Sequence, residues 1–184
     1  MPPAEPYAPP EKWRVTEVPS SQQLLAVFCG GKTVVTADRR DDRLYLYEAG
    51  RFVRHLAFEA RVKASVQVLS GGDMRTVVVG APRTFAAKWC LAVVGPGGVE
   101  RTRPLPVEVS GGVELLPVGQ GVALRCPVGV LYIHLNTGVI RWLTRVEPRS
   151  MHTDREWAFV NGTSYSYGIH VPSGRQMRWR EPNV

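Results

Sequence analysis

Cysteine is rare in this 184-residue sequence, which has only three, at positions 29, 90 and 126. Their odd number and wide spacing favour a reducing cytoplasm over a disulfide framework. Each cysteine lies in an apolar run, so we expect buried thiols. Long apolar runs are missing as well, because glycine, proline or a charge interrupts each one before the roughly 18 residues of a membrane-spanning helix. The N-terminus lacks the charged start and apolar middle of a secretory signal, so we expect no export.

Lysine is scarce, although the chain is basic. Of 23 basic residues 19 are Arg and 4 are Lys, and with 16 acidic residues the formal charge is +7. Hydrophobic residues make up 44% and charged residues 21%, which excludes a collagen-like or wholly disordered chain. We expect a disordered proline-rich tail at residues 1–10 and a single domain over residues 11–184.

Helical periodicity is the third absence, because no stretch of a dozen residues keeps an apolar stripe free of Gly or Pro. Instead, an alternating apolar segment, a turn with glycine and a second segment with Arg recur four times. The turn glycines at 50, 98, 138 and 174 are 48, 40 and 36 residues apart. Each unit is predicted to be a β-hairpin, and the spacing is typical of a four-stranded propeller blade.

Further predicted strands precede the hairpins. They cover residues 24–29, 33–38, 64–69, 76–81, 113–118, 121–126 and 157–162. With these segments the chain resembles the β-propeller superfamily in the broad sense that includes WD40-like and quinoprotein-like repeats. The resemblance covers about residues 11–182 and implies an all-β fold of about four four-stranded antiparallel blades. The dipeptides Gly-His and Trp-Asp of strict WD40 repeats are absent, so no functional residue is carried over. A β-sandwich or barrel is the alternative.

Residues 26–33 come close to a phosphate-binding loop, with Gly30, Gly31 and Lys32 at its centre. That motif requires a following helix whose N-terminus faces the phosphates. The β-branched Val34, Val35 and Thr36 that follow here predict a strand instead. We therefore interpret the two glycines as a hairpin turn and expect no nucleotide or other cofactor.

His152, Asp154 and Glu156 are metal-ligand types at alternating positions, but no second group completes a site. We interpret their segment as a solvated connection between blades and expect no metal. His134 and His170 each lie four residues before a turn glycine, which indicates a structural position used by each repeat. No Gly-x-Ser-x-Gly elbow or zinc-type cysteine pair is present, so we expect no enzymatic activity.

Two loops are predicted to bind a partner, at residues 38–43 and 148–156, because loops vary freely on a rigid scaffold. The candidate residues are Asp38, Arg39, Arg40, Asp41, Asp42, Arg43, His152 and Asp154. The leading hypothesis is a non-enzymatic protein–protein interaction module, an adaptor or scaffold subunit. Four blades are few for a closed ring, so completion by self-association or by a partner is a further hypothesis.

Arginines beside aromatic residues support the alternative, a protein that binds nucleic acid or another polyanion. The candidates for such contacts are Arg14, Arg54, Arg141, Arg178 and Arg180. Nine arginines follow the turn glycines: Arg51, Arg54, Arg101, Arg103, Arg141, Arg145, Arg175, Arg178 and Arg180. We expect these segments to be the outermost strands of the blades, where charge also discourages edge-to-edge pairing.

Overall fold

The computed structural model describes residues 19–38, 40, 42–82, 88–106 and 111–180. Their regular structure consists of four antiparallel sheets of four strands and one short 3₁₀ turn, Cys29–Gly31. The proposed tail at residues 1–10, together with residues 11–18, lies outside the described residues. No helix in the described part of the chain is long and apolar enough to cross a membrane.

The strands follow one another in chain order within each sheet. Sheet 1 contains β1 (Gln22–Phe28), β2 (Thr33–Asp38), β3 (Leu44–Glu48) and β4 (Arg51–Leu56). Sheet 2 contains β5 (Arg61–Ser70), β6 (Asp73–Ala81), β7 (Cys90–Gly95) and β8 (Gly98–Pro104). Sheet 3 contains β9 (Glu114–Val118), β10 (Gly121–Cys126), β11 (Gly129–His134) and β12 (Ile140–Thr144). Sheet 4 contains β13 (Ser150–Asp154), β14 (Trp157–Asn161), β15 (Tyr165–His170) and β16 (Gln176–Arg180).

Successive strands reverse direction, so each sheet has two distinct ends. The turns between the first and second strands and between the third and fourth lie at one end, which we call the turn end. The loops between the second and third strands, and the links from sheet to sheet, lie at the connection end. All four hairpins predicted from the sequence are confirmed, and Gly50, Gly98, Gly138 and Gly174 have the positive φ their turns require.

Hydrophobic clusters join each sheet to the next along the chain. In β6, Val78 belongs to the cluster with sheet 1, whereas Val77 and Val79 belong to the cluster with sheet 3. This alternation is the period of two expected for a strand buried on both faces. A third cluster, with Ala158 and Val160, joins sheet 3 to sheet 4.

The first strands lie innermost, because contacts between neighbouring sheets run from β1 to β5, from β5 to β9 and from β9 to β13. The fourth strands are therefore outermost, as predicted. Seven of the nine arginines lie on them, and Arg145 and Arg175 lie one residue outside their strands. The Arg-rich segments are thus the outer edges of the sheets.

Sheets 1 and 4 are not joined in the way that consecutive sheets are. Within the described ranges, none of the three clusters combines residues of both, and no comparable strand contact links β13 to β1. Each of these sheets therefore has one face that no other described sheet covers. We call them end face 1, with Tyr47 and Phe52, and end face 4, with Phe159, Met177 and Trp179.

Two local expectations are wrong. Cys29 is exposed, because it has a φ of 52° in the turn that Gly30 and Gly31 form after β1, whereas Cys126 is buried as expected. Residues 150–154 form β13, the innermost strand of sheet 4, where we expected a solvated connection. The turn at Gly30 and Gly31 is confirmed, with strand β2 directly after it.

Candidate functional site

A groove of about 450 Å³ opens at the turn end between sheets 3 and 4. Its lining includes Tyr132, His134 and Arg141 from sheet 3, with Glu156 and Pro172 from the turns of sheet 4. The corresponding place between sheets 2 and 3 holds only about 110 Å³. That smaller cavity is lined by Arg75 and Glu100, whose ion pair of 2.9 Å occupies the space.

Arg141 connects the two walls of the groove. One of its guanidinium nitrogens, Nη2, donates a hydrogen bond to the backbone oxygen of Val171, and the guanidinium lies 5.5 Å from the centre of the Tyr132 ring. The bond to Val171 recurs at the other interfaces. Arg54 donates to Gly97 O at 2.9 Å, and Arg101 donates to Leu135 O at 3.4 Å. An outer-strand arginine thus binds the turn of the next sheet three times.

Each of the two histidines contacts a residue of its own turn through Nδ1. The backbone N–H of Thr137 donates to His134 Nδ1 at 3.3 Å, which leaves the proton of a neutral His134 ring on Nε2. His170 Nδ1 lies 2.7 Å from the hydroxyl of Ser173, and His170 Nε2 lies 3.3 Å from a carboxylate oxygen of Glu156. The structural interpretation of His134 and His170 as equivalent turn positions is therefore confirmed.

Tyr132 supplies a neutral hydroxyl to the groove. Burial raises the pKa of its phenol, although the nearby Arg141 and the backbone N–H of Gln120 act in the opposite direction. The side chain is almost inaccessible, at 5% exposure. At neutral pH the phenol therefore keeps its proton and can donate as well as accept a hydrogen bond.

The first predicted partner loop lies at the connection end of sheet 1. The backbone N–H of Arg40 and the hydroxyl of Ser21 each donate to the Asp38 carboxylate at 2.8 Å, and in that order they lower its pKa. Asp42 is buried within 4.0 Å of Arg61, and Arg43 is exposed. Arg39 and Asp41 lie outside the described residues.

The second predicted loop is divided between the two ends of sheet 4. His152 and Asp154 lie on β13 and pair with Phe159 and Trp157, so both lie exposed on end face 4 rather than at a loop tip. Glu156 lies in the following turn and lines the groove. Within the described residues, no three side chains of metal-ligand type come together.

The predicted polyanion contacts do not form one patch. Arg54 and Arg141 bind the turns of neighbouring sheets, whereas Arg178 and Arg180 are exposed on β16. The guanidinium of Arg178 lies over the Tyr165 ring at 4.7 Å. Arg14 lies outside the described residues.

Three residues that line the groove were not predicted from the sequence to belong to a site: Gln120, Tyr132 and Thr137. Tyr132 belongs to an alternating strand pattern that any buried strand would show. The available signal was the repeat itself, because the hairpins around Gly138 and Gly174 align and place two turns of similar sequence side by side.

No protein-family model and no curated protein matches the sequence. Among solved structures, the dihydro-heme d1 dehydrogenase NirN in complex with DHE superposes with a TM-score of 0.60 and 8% identity, over 85% of this chain and 37% of that one. BBS1N in complex with ARL6DN gives 0.54 and 13%, over 88% and 54%. The Pan2 WD40 domain of Neurospora crassa gives 0.52 and 14%, over 84% and 50%.

The chain has a β-propeller fold. Its four sheets are four propeller blades, as the sequence predicted, and the alternative sandwich or barrel is excluded. At these identities the likeness concerns the fold alone, and a propeller can carry unrelated functions. The propeller chain spans between about a third and just over half of the three structures it matches.

Proposed function

We propose that this propeller is a non-enzymatic protein–protein interaction module that binds an acidic segment of a partner protein in the groove between sheets 3 and 4. The observation that carries the proposal is the position of Arg141 in an open groove, where its other guanidinium nitrogens have no protein acceptor among the described residues. A propeller seen with a protein partner, BBS1N with ARL6DN, supports the general function.

The donors in the groove favour a carboxylate. Arg141 offers a charged planar donor, and His134 Nε2 and the Tyr132 hydroxyl are further donors in its lining. The carboxylate of Glu156 lies 3.3 Å from the ring of His170. The side of the groove that carries Arg141 is therefore its more positive side. Val139 and Pro172 provide apolar surface for the aliphatic part of an aspartate or glutamate.

The test compares two short synthetic peptides, one with glutamates separated by valines and one with glutamine in place of each glutamate. Fluorescence anisotropy should show binding of the acidic peptide to the wild-type chain, and Arg141→Gln should weaken it roughly tenfold or more, because a hydrogen bond to a charged group contributes about 1.5–3 kcal/mol. Arg101→Gln is the matched control, since it removes the equivalent bond between sheets where no large groove exists. Equal affinity for both peptides, or equal loss in both variants, would contradict the proposal.

The exposed part of the loop at residues 38–43 remains a second proposed partner surface. It lies at the opposite end of the propeller from the groove, so an adaptor could hold two partners at once. Charge reversal at Arg40 and Arg43 should weaken a partner bound there without changing peptide binding in the groove. The cytoplasmic location, proposed from the three cysteines, is tested by fractionation of cells that express the tagged chain.

Binding to a polyanion is the second candidate, favoured by the net charge of +7 and the exposure of Arg178 and Arg180 on β16. A mobility shift with generic DNA or RNA should then appear at low salt and weaken steeply as salt rises. Charge removal at both arginines should reduce the salt dependence. Absence of any shift at low salt would eliminate this candidate.

A further inference from the structure

We infer that the segment bound in the groove carries a basic residue beside its acidic one, so that Glu156 binds the basic residue while Arg141 binds the acidic one. The inference rests on the proposed function and deepens it, because it names the second charge of the ligand. It follows from a cationic side chain that the protein supplies at one interface between sheets and lacks at the next.

The interface between sheets 2 and 3 contains an additional arginine at the place that corresponds to the groove. Arg75, on the second strand of sheet 2, donates through Nε to the carboxylate of Glu100 at 2.9 Å and through Nη1 to the side-chain oxygen of Asn136 at 3.2 Å. Arg101 lines the same small cavity and binds the next turn. This interface therefore has two arginines, one of which binds a carboxylate.

The strand registers identify the residue of sheet 3 that takes the place of Arg75. In sheet 2, the row of paired residues that contains Arg101 crosses the second strand two residues after Arg75. In sheet 3, the row that contains Arg141 crosses the second strand two residues after Gly121. Side chains two residues apart on a strand lie on the same face. Gly121 therefore has the position of Arg75 but brings no side chain.

Tyr132 covers Gly121 without replacing the missing charge. A Cβ atom on Gly121 would lie 2.8 Å from carbons of the Tyr132 ring, so the ring occupies the space directly above the glycine. The groove of about 450 Å³ lies beside this ring, and Arg141 is the one arginine or lysine among the described residues that line it. The groove therefore has room for a second cationic side chain, which the described part of the chain does not supply.

Glu156 provides the carboxylate that such a cation would bind. Its side chain lines the groove and is 59% exposed, and its Oε2 lies 3.3 Å from Nε2 of His170. Within the described ranges, Glu156 forms no ion pair with an arginine or a lysine. A carboxylate has about four lone-pair sites on its two oxygens, so the contact with His170 leaves others free for a ligand.

Val171 connects the two charged residues. Its backbone oxygen accepts the hydrogen bond from Arg141, and its backbone N–H donates to the backbone oxygen of Glu156 at 2.8 Å. Arg141 and Glu156 are thus attached to the two polar backbone groups of a single residue. An extended peptide presents residues i and i+2 on one side, about 7 Å apart. We therefore expect the acidic and basic residues of the ligand to lie two positions apart.

The test compares two synthetic peptides by fluorescence anisotropy, one with the core Lys-Val-Glu-Val-Lys and one with the core Gln-Val-Glu-Val-Gln. Lysine on both sides of the glutamate makes the result independent of the direction in which the peptide binds. The net charge of +7 repels the lysine peptide as a whole, so long-range electrostatics alone predicts that it binds more weakly. We expect the lysine peptide to bind about two- to fivefold more tightly, as for one exposed ion pair.

Glu156→Gln should abolish the preference for the lysine peptide. The substitution suits the fold, because Gln120 has the equivalent position in sheet 3, where its backbone oxygen accepts the same type of bond. Glu48→Gln is the matched control, since Glu48 is exposed on β3 of sheet 1, outside the groove, and its substitution changes the net charge equally. This control should keep the preference.

The outcomes separate this inference from the proposed function. If the glutamine peptide binds the wild-type chain as tightly as the lysine peptide or more tightly, the inference is overturned and the proposed function stands. A preference for lysine that persists in Glu156→Gln, or that disappears equally in Glu48→Gln, has the same meaning. If neither peptide binds the wild-type chain, the inference and the proposed function are both overturned.

Discussion

Substitution of Leu105 by alanine tests whether the sheets are held together as described. Leu105 follows β8 on the link to sheet 3, is fully buried, and belongs to the cluster between sheets 2 and 3. Its backbone N–H also donates to Trp89 O at 2.7 Å, a bond that the substitution keeps. The change therefore removes side-chain packing and little else.

The magnitude follows from the atoms removed. Three buried carbons at about 0.8 kcal/mol each give about 2.4 kcal/mol of lost transfer free energy. The cavity left behind raises the expected loss of unfolding free energy to about 3–5 kcal/mol. With an m value of about 2 kcal/mol/M, the midpoint of urea unfolding should fall by about 1.5–2.5 M.

Leu69→Ala is the matched control, because Leu69 is 64% exposed, and its substitution should change the free energy of unfolding by less than about 0.5 kcal/mol. Both variants are compared with wild type by urea titration under circular dichroism. A loss below about 1 kcal/mol for Leu105→Ala, or similar losses in both variants, would refute the assignment of Leu105 to the core between these sheets.

Three further predictions concern local packing and ionisation. Gly121→Ala should lower the free energy of unfolding by at least about 2 kcal/mol in urea titration, because its methyl group would collide with the backbone oxygen of Ile133, whereas Gly112→Ala meets open space and should be nearly neutral. A thiol reagent should label exposed Cys29 in the native protein but buried Cys126 only after denaturation, and equal rates would contradict this difference. Burial raises the pKa values of Cys126 and Tyr132, so the unfolded chain loses these protons first, and the melting temperature should fall as pH rises above about 9.

The sequence predicted the sheets well because their signals are local. The turn glycines, the positive φ they allow and the alternating strands beside them are all contained within one hairpin. Ser150–Asp154 was misinterpreted because its charged residues suggested a loop, although Met151 and Thr153 alternate with polar neighbours as in a half-buried strand. Cys29 was misplaced because an apolar run does not show where its strand ends and the turn begins.

The groove and the end faces could not be predicted from such local patterns. Their properties depend on which sheet packs against which, and no single hairpin carries that information. Arg141 illustrates the difference, since its sequence context suggested a polyanion contact or a protected edge, whereas the structure places it across two sheets. The binding partner of a side chain in the next repeat can be predicted only once the order and spacing of the repeats are known.

The order of strands in the four sheets also bears on how the chain is made. Every strand pairs only with its immediate neighbours in sequence, and no described sheet borrows a strand from the other end of the chain. Contacts of this kind require little loop closure before they form. During synthesis, each sheet can therefore form as soon as its own segment has left the ribosome. It can then pack against the preceding sheet, which has already formed.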